Sequence, residues 1–388
     1  MKYIRTVGVV GAGTMGAALA QKFAQEGFKV ILADRAKNFV DIGLNNIRLT
    51  LEEGVEKKVF TKNQVDEYLS NLTGTDSLAD LNGCDLVVEA IFENLQAKKD
   101  LFRSLGEIVS DDCIVATNTS SFSVTELAAS IIHPERFIGL HFFYHAAKNR
   151  LVEIIPGEKT SSETLKAAQL FSVLAAKDAI DCTDTYGFAV NRFFVPWLNE
   201  SVKLLQEGVA TKSEIDFVCM KVFGIGMGPF ALMNATGVPI AYHSEKTLEV
   251  FGKLYEVAEA LKSQAESGKQ WEIEPPVEAI DPAKEKMISD RMLGVVFFVC
   301  SQILEEKVST ATHLNRGAKI GLRWKNGPVD LMKYAREEKV NRLVAMIAGL
   351  YNTKVPLSIG GKYWELESVK LEKNDSVAIL TMDQPENM

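Results

Sequence analysis

Residues 6–16 read TVGVVGAGTMG, an apolar run that breaks into Gly11-Ala12-Gly13-Thr14-Met15-Gly16 and leads into an apolar-faced stretch of helical period over 17–25. A G-x-G-x-x-G pattern between a buried strand and a helix points to dinucleotide binding rather than to an ordinary turn. Gly11 permits the tight turn, Gly13 lets a pyrophosphate approach the backbone, and Gly16 lets helix and strand pack closely. The free N–H groups that open the helix, around Thr14 and Met15, and the positive end of its dipole would then receive the phosphates. Asp34 closes the next apolar run, KVILAD, at close to the expected spacing of about 20 residues. A carboxylate there accepts from the adenosine ribose and repels a 2′-phosphate, which favours NAD over NADP; Arg35 beside it weakens that preference.

Outward from this stretch, KVILAD, DLVVEAI, CIVATNT, RFIGLHFF and LVEIIP alternate with helical patterns such as 95–108 and 161–176. Short apolar runs alternating with helices predict a doubly wound, mainly parallel α/β sheet of Rossmann type over residues 1–185. A helical excursion over 38–72 interrupts it. After Tyr186-Gly187 the patterns turn helical as far as about residue 350. Within that half Arg192, Leu205, Glu207, Val209, Thr211, Gly228, Pro229, Leu232 and Met233 recur as Arg291, Leu304, Glu306, Val308, Thr310, Gly327, Pro328, Leu331 and Met332, at a constant offset of 99. This predicts an all-α domain made of two repeated helical units, 186–284 (including a linker over 263–284) and 285–360. A tail over 361–388 reads as strand, turn, strand and stop.

The net charge of −8 and pI near 5.4 argue against nucleic acid as the main partner. The five cysteines are isolated and form no CxxC or Cys/His cluster, so neither a disulfide framework nor a metal site is expected. The N-terminus lacks the long apolar core of a signal peptide, and MLGVVFFVC at 292–300 is far short of the roughly 20 residues that span a bilayer. The expectation is a cytoplasmic protein with no membrane partner.

Of the five histidines, His133, His243 and His313 sit in polar or turn surroundings and read as surface residues. His141 and His145 flank the end of the apolar strand IGLHFFYH, at the sheet edge where ligands of such folds bind. Position alone leaves His141 open as a base or a structural histidine. Glu153 interrupts the apolar LVEII, where a carboxylate is costly unless paired. An imidazole partner would relieve that cost, fix one ring tautomer and stabilise the imidazolium. Asn118-Thr119-Ser120-Ser121 is a further polar group at a strand end, supplying hydroxyl donors or capping the helix that begins near Val124.

GAGTMG, VVEAIFEN, NTSS, LHFF…LVEII and YGFAVNR, in this order and spacing, resemble the L-3-hydroxyacyl-CoA dehydrogenase family over about residues 4–350. The resemblance implies NAD-dependent, reversible oxidation of (S)-3-hydroxyacyl-CoA to 3-oxoacyl-CoA. It assigns His141 as the base, Glu153 as the acid that orients it, and Ser120 as a contact to substrate and nicotinamide. Asn191 would hold the substrate oxygen, a role compatible with an N-cap of the first long helix. Glu93 and Lys98 match positions lining the cofactor site. The 38–72 excursion matches the family's helical hairpin, where Arg48, Lys57 and Lys58 are candidate contacts to CoA phosphates. A homodimer through the helical domain is implied, although the internal repeat would satisfy the same surface within one chain.

The family pattern HFFNP reads His141-Phe142-Phe143-Tyr144-His145 here. Tyr144 thus stands where a cofactor-side Asn is usual, and His145 becomes a candidate for a share of the proton work. The tail VAILTMDQPENM resembles the opening strands of an enoyl-CoA hydratase, implying a fused or associated hydratase domain. Two alternatives stand beside the thioester reading: a related β-hydroxyacid dehydrogenase acting on a free acid, and a catalytically weak NAD-binding structural relative.

Overall fold

A computed structural model describes residues 3–367, 369–374 and 377–382. The chain divides into two compact units, Met1–Asp184 and Thr185–Met388.

The first unit is an eight-stranded sheet. Its strands are β1 (Thr6–Val10), β2 (Lys29–Ala33), β3 (Leu72–Thr75), β4 (Leu86–Glu89), β5 (Ile114–Thr117), β6 (Phe137–Phe142), β7 (Leu151–Pro156) and β8 (Asp178–Asp181). They lie in the order 3-2-1-4-5-6-7-8, with only the β6–β7 pair antiparallel. The strands β1, β4, β5 and β6 are buried almost throughout, as a sheet covered on both faces requires. The covering helices include α1 (Thr14–Gln25), α2 (Lys37–Glu56), α3 (Lys62–Ser70), α4 (Leu95–Ile108), α5 (Val124–Ala128) and α6 (Ser162–Leu174). Phe23 of α1 gathers Phe28, Phe142 and Phe171 edge-on at centroid distances of 5.1–6.3 Å, pinning α1 and α6 over β6. Two strands carry no apolar run and are not visible in the sequence: β3 (LTGT) is a half-exposed edge strand, and β8 (DAID) closes the other edge. The 38–72 excursion is the helix pair α2 and α3, the latter opened by a Thr61–Gln64 capping box.

The second unit is helical. The first copy of the repeat runs through α7 (Val190–Gln206), α8 (Lys212–Phe223), α9 (Pro229–Thr236), α10 (Val238–Leu248) and α11 (Glu259–Ser267). The second runs through α12 (Pro282–Glu305), α13 (Ala311–Arg316) and α14 (Pro328–Leu350). The expected linker at 263–284 is shorter than predicted, because α11 and α12 extend into it and leave only 268–281 irregular. The helix containing MLGVVFFVC is also longer than its apolar run. By length and composition α12 would cross a membrane, but 72% of its apolar window is buried inside the unit. Beyond it lies a two-stranded antiparallel sheet, β9 (Val369–Asn374) with β10 (Val377–Met382). The strand pair predicted for the tail is therefore present, while its expected turn at 375–376 and its closing DQPENM lie outside the described residues.

Candidate active site

At the carboxyl end of β1 the chain turns through Gly11, at φ +108°, where a side chain would strike the Ala90 carbonyl. A Cβ on Gly16 would overlap the Gly11 carbonyl, so both glycines are demanded by the fold itself. Gly13 differs. Its φ is −71°, open to any residue, and a Cβ there would meet nothing within 4 Å. Glycine at this position leaves room for something other than protein. Gly13 is also the N-cap of α1 and provides no side-chain cap, leaving the first N–H groups of the helix free for a ligand. Gly11, Gly13 and Thr14 line a cavity of about 580 Å³ with Asp34, Arg35, Phe39 and Ile91. Within it the Asp34 carboxylate accepts from the Ala12 and Arg35 amides, both at 2.7 Å, and the Arg35 guanidinium lies 5.0 Å from the Phe39 ring centroid. A glycine cradle with room beside Gly13, free helix N–H groups and an acid at the end of β2 fit NAD.

The ends of β4 and β5 carry a polar network. The Lys98 ammonium, from α4, is buried between two acids, 2.6 Å from Glu89 and 3.0 Å from Glu93. Glu93 also accepts from the Thr119 and Ser121 hydroxyls and from the Ser120 amide. Lys98 and these hydroxyls hold its carboxyl below the usual range in spite of burial; burial pushes that of Glu89 up. The loop 118–121 is thus bound through its flanks, and the Ser120 hydroxyl makes no hydrogen bond among the described residues. Asn118 ties the loop to β6 by accepting from the Phe142 amide at 2.8 Å.

His141 and Glu153 are register partners across the β6–β7 pair, so their side chains share one face. The His141 Nδ1 lies 2.6 Å from a Glu153 carboxylate oxygen, with the acid fully buried and the histidine nearly so. Glu153 is thus no surface acid: β7 is an interior strand. Phe143 packs on the His141 ring at 4.6 Å, and Tyr144 points outward at 66% exposure. His145 is half-buried. Its Nδ1 accepts from the Ala147 amide, and burial together with the Lys148 and Lys177 ammonium groups depresses its pKa. Lys177 itself is buried, donates to the Ala146 and Asn149 carbonyls, and is pushed down to about 7 by burial.

Sequence profiles of a known family match both units of the chain. The 3-hydroxyacyl-CoA dehydrogenase NAD binding domain matches residues 6–185, and the C-terminal domain of the same family matches 187–270. A probable 3-hydroxybutyryl-CoA dehydrogenase of Deinococcus radiodurans is 40% identical over 231 residues, 60% of this chain and 83% of that protein. The chain belongs to the 3-hydroxyacyl-CoA dehydrogenase family. Its NAD-binding domain makes NAD the cofactor, and the enzyme class is that of NAD-dependent oxidoreductases. A fatty acid oxidation complex subunit alpha of Idiomarina loihiensis is 37% identical over 251 residues, 64% of this chain but 34% of that protein. The crystal structure of 3-hydroxybutyryl-CoA dehydrogenase from Escherichia coli K12 superposes with a TM-score of 0.85 over 92% of this chain and 97% of that one. At 22% identity that likeness concerns the fold, which extends over the second helical copy where the family profiles do not reach.

Several expected site residues of this dehydrogenase belong to other elements or serve other contacts. Arg48, Lys57 and Lys58 are exposed on or just after α2, and Lys57 pairs with Glu53 at 3.1 Å. Asn191 lies in the helical unit as the second residue of α7. The N-cap is Ala189, so the expected capping role is absent. Nor does the 118–121 group cap α5. Ser123 does so, assisted by Asp184, which accepts from the Ser123 hydroxyl and the Val124 and Thr125 amides. His313, expected at the surface, is buried because α13 folds inward behind its Thr310 cap. Glu89 and Thr117 went unread. Glu89 interrupts the apolar DLVVEAI just as Glu153 interrupts LVEII, and the same signal would have found it.

Proposed function

We propose that the chain oxidises the 3-hydroxyl of (S)-3-hydroxyacyl-CoA reversibly to the ketone, with His141 as general base and Glu153 as its support. The observation that carries this is the 2.6 Å contact between His141 Nδ1 and Glu153 at the ligand-binding edge of the sheet. An ionised carboxylate only accepts, so the ring donates through Nδ1–H and presents Nε2 as its basic atom. Nε2 takes the hydroxyl proton, and the imidazolium so formed lies against a buried negative charge. NAD, when bound, accepts the hydride. Ser120, whose hydroxyl makes no hydrogen bond among the described residues, donates to the oxygen as charge builds on it, and Asn191 keeps the parallel role given by the resemblance. Glu93 and Lys98 shape the nicotinamide side of the cofactor site, and Tyr144 forms its outer wall. Arg48, Lys57 and Lys58 are solvent-exposed donors for CoA phosphates.

The same reading makes the two helical copies a pseudo-twofold pair within one chain, in place of the expected homodimer. It sets the protein in a reducing cytoplasm, in keeping with five free, buried cysteines. It also keeps the fused or associated hydratase, supported by the likeness to the fatty acid oxidation complex subunit.

The test is NADH oxidation with acetoacetyl-CoA. Turnover is expected, and His141→Ala should lower the rate by about 10²–10⁴-fold. A near-normal rate in that variant would move the proton work elsewhere, with His145 the next to be replaced. Turnover of acetoacetate but not its thioester would instead support the free-acid alternative.

A further inference from the structure

The proton chemistry does not use the charged trio at the ends of β4 and β5. Glu89 accepts from the Lys98 ammonium at 2.6 Å, the Ile91 amide at 2.8 Å and the Thr117 hydroxyl at 2.7 Å. The Lys98 ammonium and the Ile91 amide can only donate, and the ammonium at 2.6 Å favours the anion against the burial that pushes this carboxyl up. Glu93 is likewise surrounded by donors. Two carboxylates share one ammonium, which leaves the trio with one net negative charge; Glu89 and Lys98 are shut off from solvent screening, and the Glu93 side chain is 35% exposed.

Its place in the fold gives this charge a target. The three residues after Glu89 line the cavity below the glycine loop. The 118–121 loop held by Glu93 is tied through Asn118 to the backbone beside His141. A nicotinamide reaching from the glycine loop on β1 to His141 on β6 must cross the ends of β4 and β5, since those strands lie between. That ring is a cation when oxidised and neutral when reduced. A fixed negative charge beneath it favours the cation and leaves the neutral ring almost indifferent.

We propose that the Glu89–Lys98–Glu93 trio sets the relative affinity of the protein for the two redox forms of its cofactor, holding NAD⁺ more tightly against NADH than a neutral site would. This rests on the nicotinamide reading above and deepens it: Glu93 faces the cofactor, and Glu89 acts through Lys98 as a positioning residue. The Lys99–Glu126 pair nearby balances itself. The dyad adds a negative charge of its own, but one that stays constant when the trio is altered.

The experiment is a pair of binding titrations on the full chain, NADH by its fluorescence and NAD⁺ by calorimetry. Glu89→Gln removes the net charge and keeps the shape. It should weaken NAD⁺ relative to NADH by about three- to tenfold. Glu93→Gln should move the ratio the same way, and it carries the test if Glu89→Gln does not fold. Thr117→Val removes a hydrogen bond from Glu89 without changing charge, and should hold the ratio within about twofold. An unmoved ratio in the folded charge variants, or an equal shift in Thr117→Val, overturns the proposal alone. Failure of the unaltered protein to bind either dinucleotide overturns it together with the nicotinamide reading.

Discussion

The two copies of the helical repeat follow one backbone path with different chemistry. In the first, the Asp216 carboxylate caps α9, accepting from the Phe230 and Ala231 amides. In the second, the equivalent Asn315 caps α14 through the Val329 and Asp330 amides, and its own amide donates to Asp330. The acid has moved from one side of the contact to the other, and each copy keeps one carboxylate. The copies also hold each other by exchange. Arg192 of the first makes a two-pronged pair with Glu306 of the second, at 2.5 and 2.8 Å. Arg291 of the second pairs with Glu207 of the first, at 3.1 and 2.8 Å. Reciprocal contact of this kind is the signature of a twofold interface, here built inside one chain. The lesson is that equivalent positions need not be energetically equivalent.

The two arginines give the largest test of that statement. Arg291 also pairs with Glu200, which is buried and has no counterpart in the second copy, where Val299 stands. Replacing Arg291 with Ala leaves this buried carboxylate with the Tyr351 hydroxyl at 2.6 Å and only the more distant Lys203 ammonium, 3.9 Å away, as its cation, and should cost about 3 kcal/mol in denaturant unfolding. Glu306, by contrast, is about half exposed, so Arg192→Ala frees its partner to water. That variant should lose chiefly the packing of the arginine stem, about 1–2 kcal/mol. Equal losses would show that the copies are interchangeable after all.

A smaller effect should come from the caps. Burial pushes the Asp216 carboxyl up to about 6, above an unfolded value near 3.8. A raised acid favours the folded state below pH 4, and that contribution is lost as pH rises through 6. Asp216→Asn, which imitates the second copy, should therefore stabilise the protein at pH 7.5 by about 1 kcal/mol and make no difference near pH 4. The gain is limited because residue 231 is Ala and offers the new amide no acceptor. Thermal unfolding across this pH range reads it. A gain that is the same at both ends would point to hydrogen bonding rather than to the charge.

How much of this was legible in sequence follows from what each signal encodes. The strand, glycine loop and acid around Asp34 are local and could be read in order. Glu153 could be read because a charge inside an apolar strand demands a partner, and a histidine stood one hairpin away. Glu89 sends the same signal, but its partner Lys98 lies on the following helix rather than on a strand. The strands LTGT and DAID were hidden because edge strands need no apolar run. The repeat list already held Arg192, Glu207, Arg291 and Glu306, yet similarity reveals which positions are alike and not which ones touch. The crossing of the pairs belongs to tertiary structure. Asn191 shows the limit from the other side: an amide near a helix start reads as a cap, while the actual cap, Ala189, offers no side-chain signal at all.

The finest comparison is between two helix ends. After α7, Gly208 stands at φ +70°, its amide bonded to the Leu205 carbonyl and that of Val209 to Leu204. After α12, Lys307 stands at φ +56°, with the same two bonds to Leu304 and Ile303. The terminus is thus one structure made with two residues, of which only glycine escapes the left-handed penalty. Lys307→Gly should stabilise the protein by about 0.5–1 kcal/mol, the relief of strain less the added freedom of glycine in the unfolded chain. The reverse exchange, Gly208→Lys, has open space for its side chain, with nothing within 4 Å of a Cβ. It should therefore lose a similar amount through the backbone alone. Opposite signs of comparable size in the two variants would mean that the turn is set by the helix on either side of it. A large loss in Gly208→Lys with no gain in Lys307→Gly would mean that the second copy has relaxed around its lysine, and that the two ends are no longer one structure.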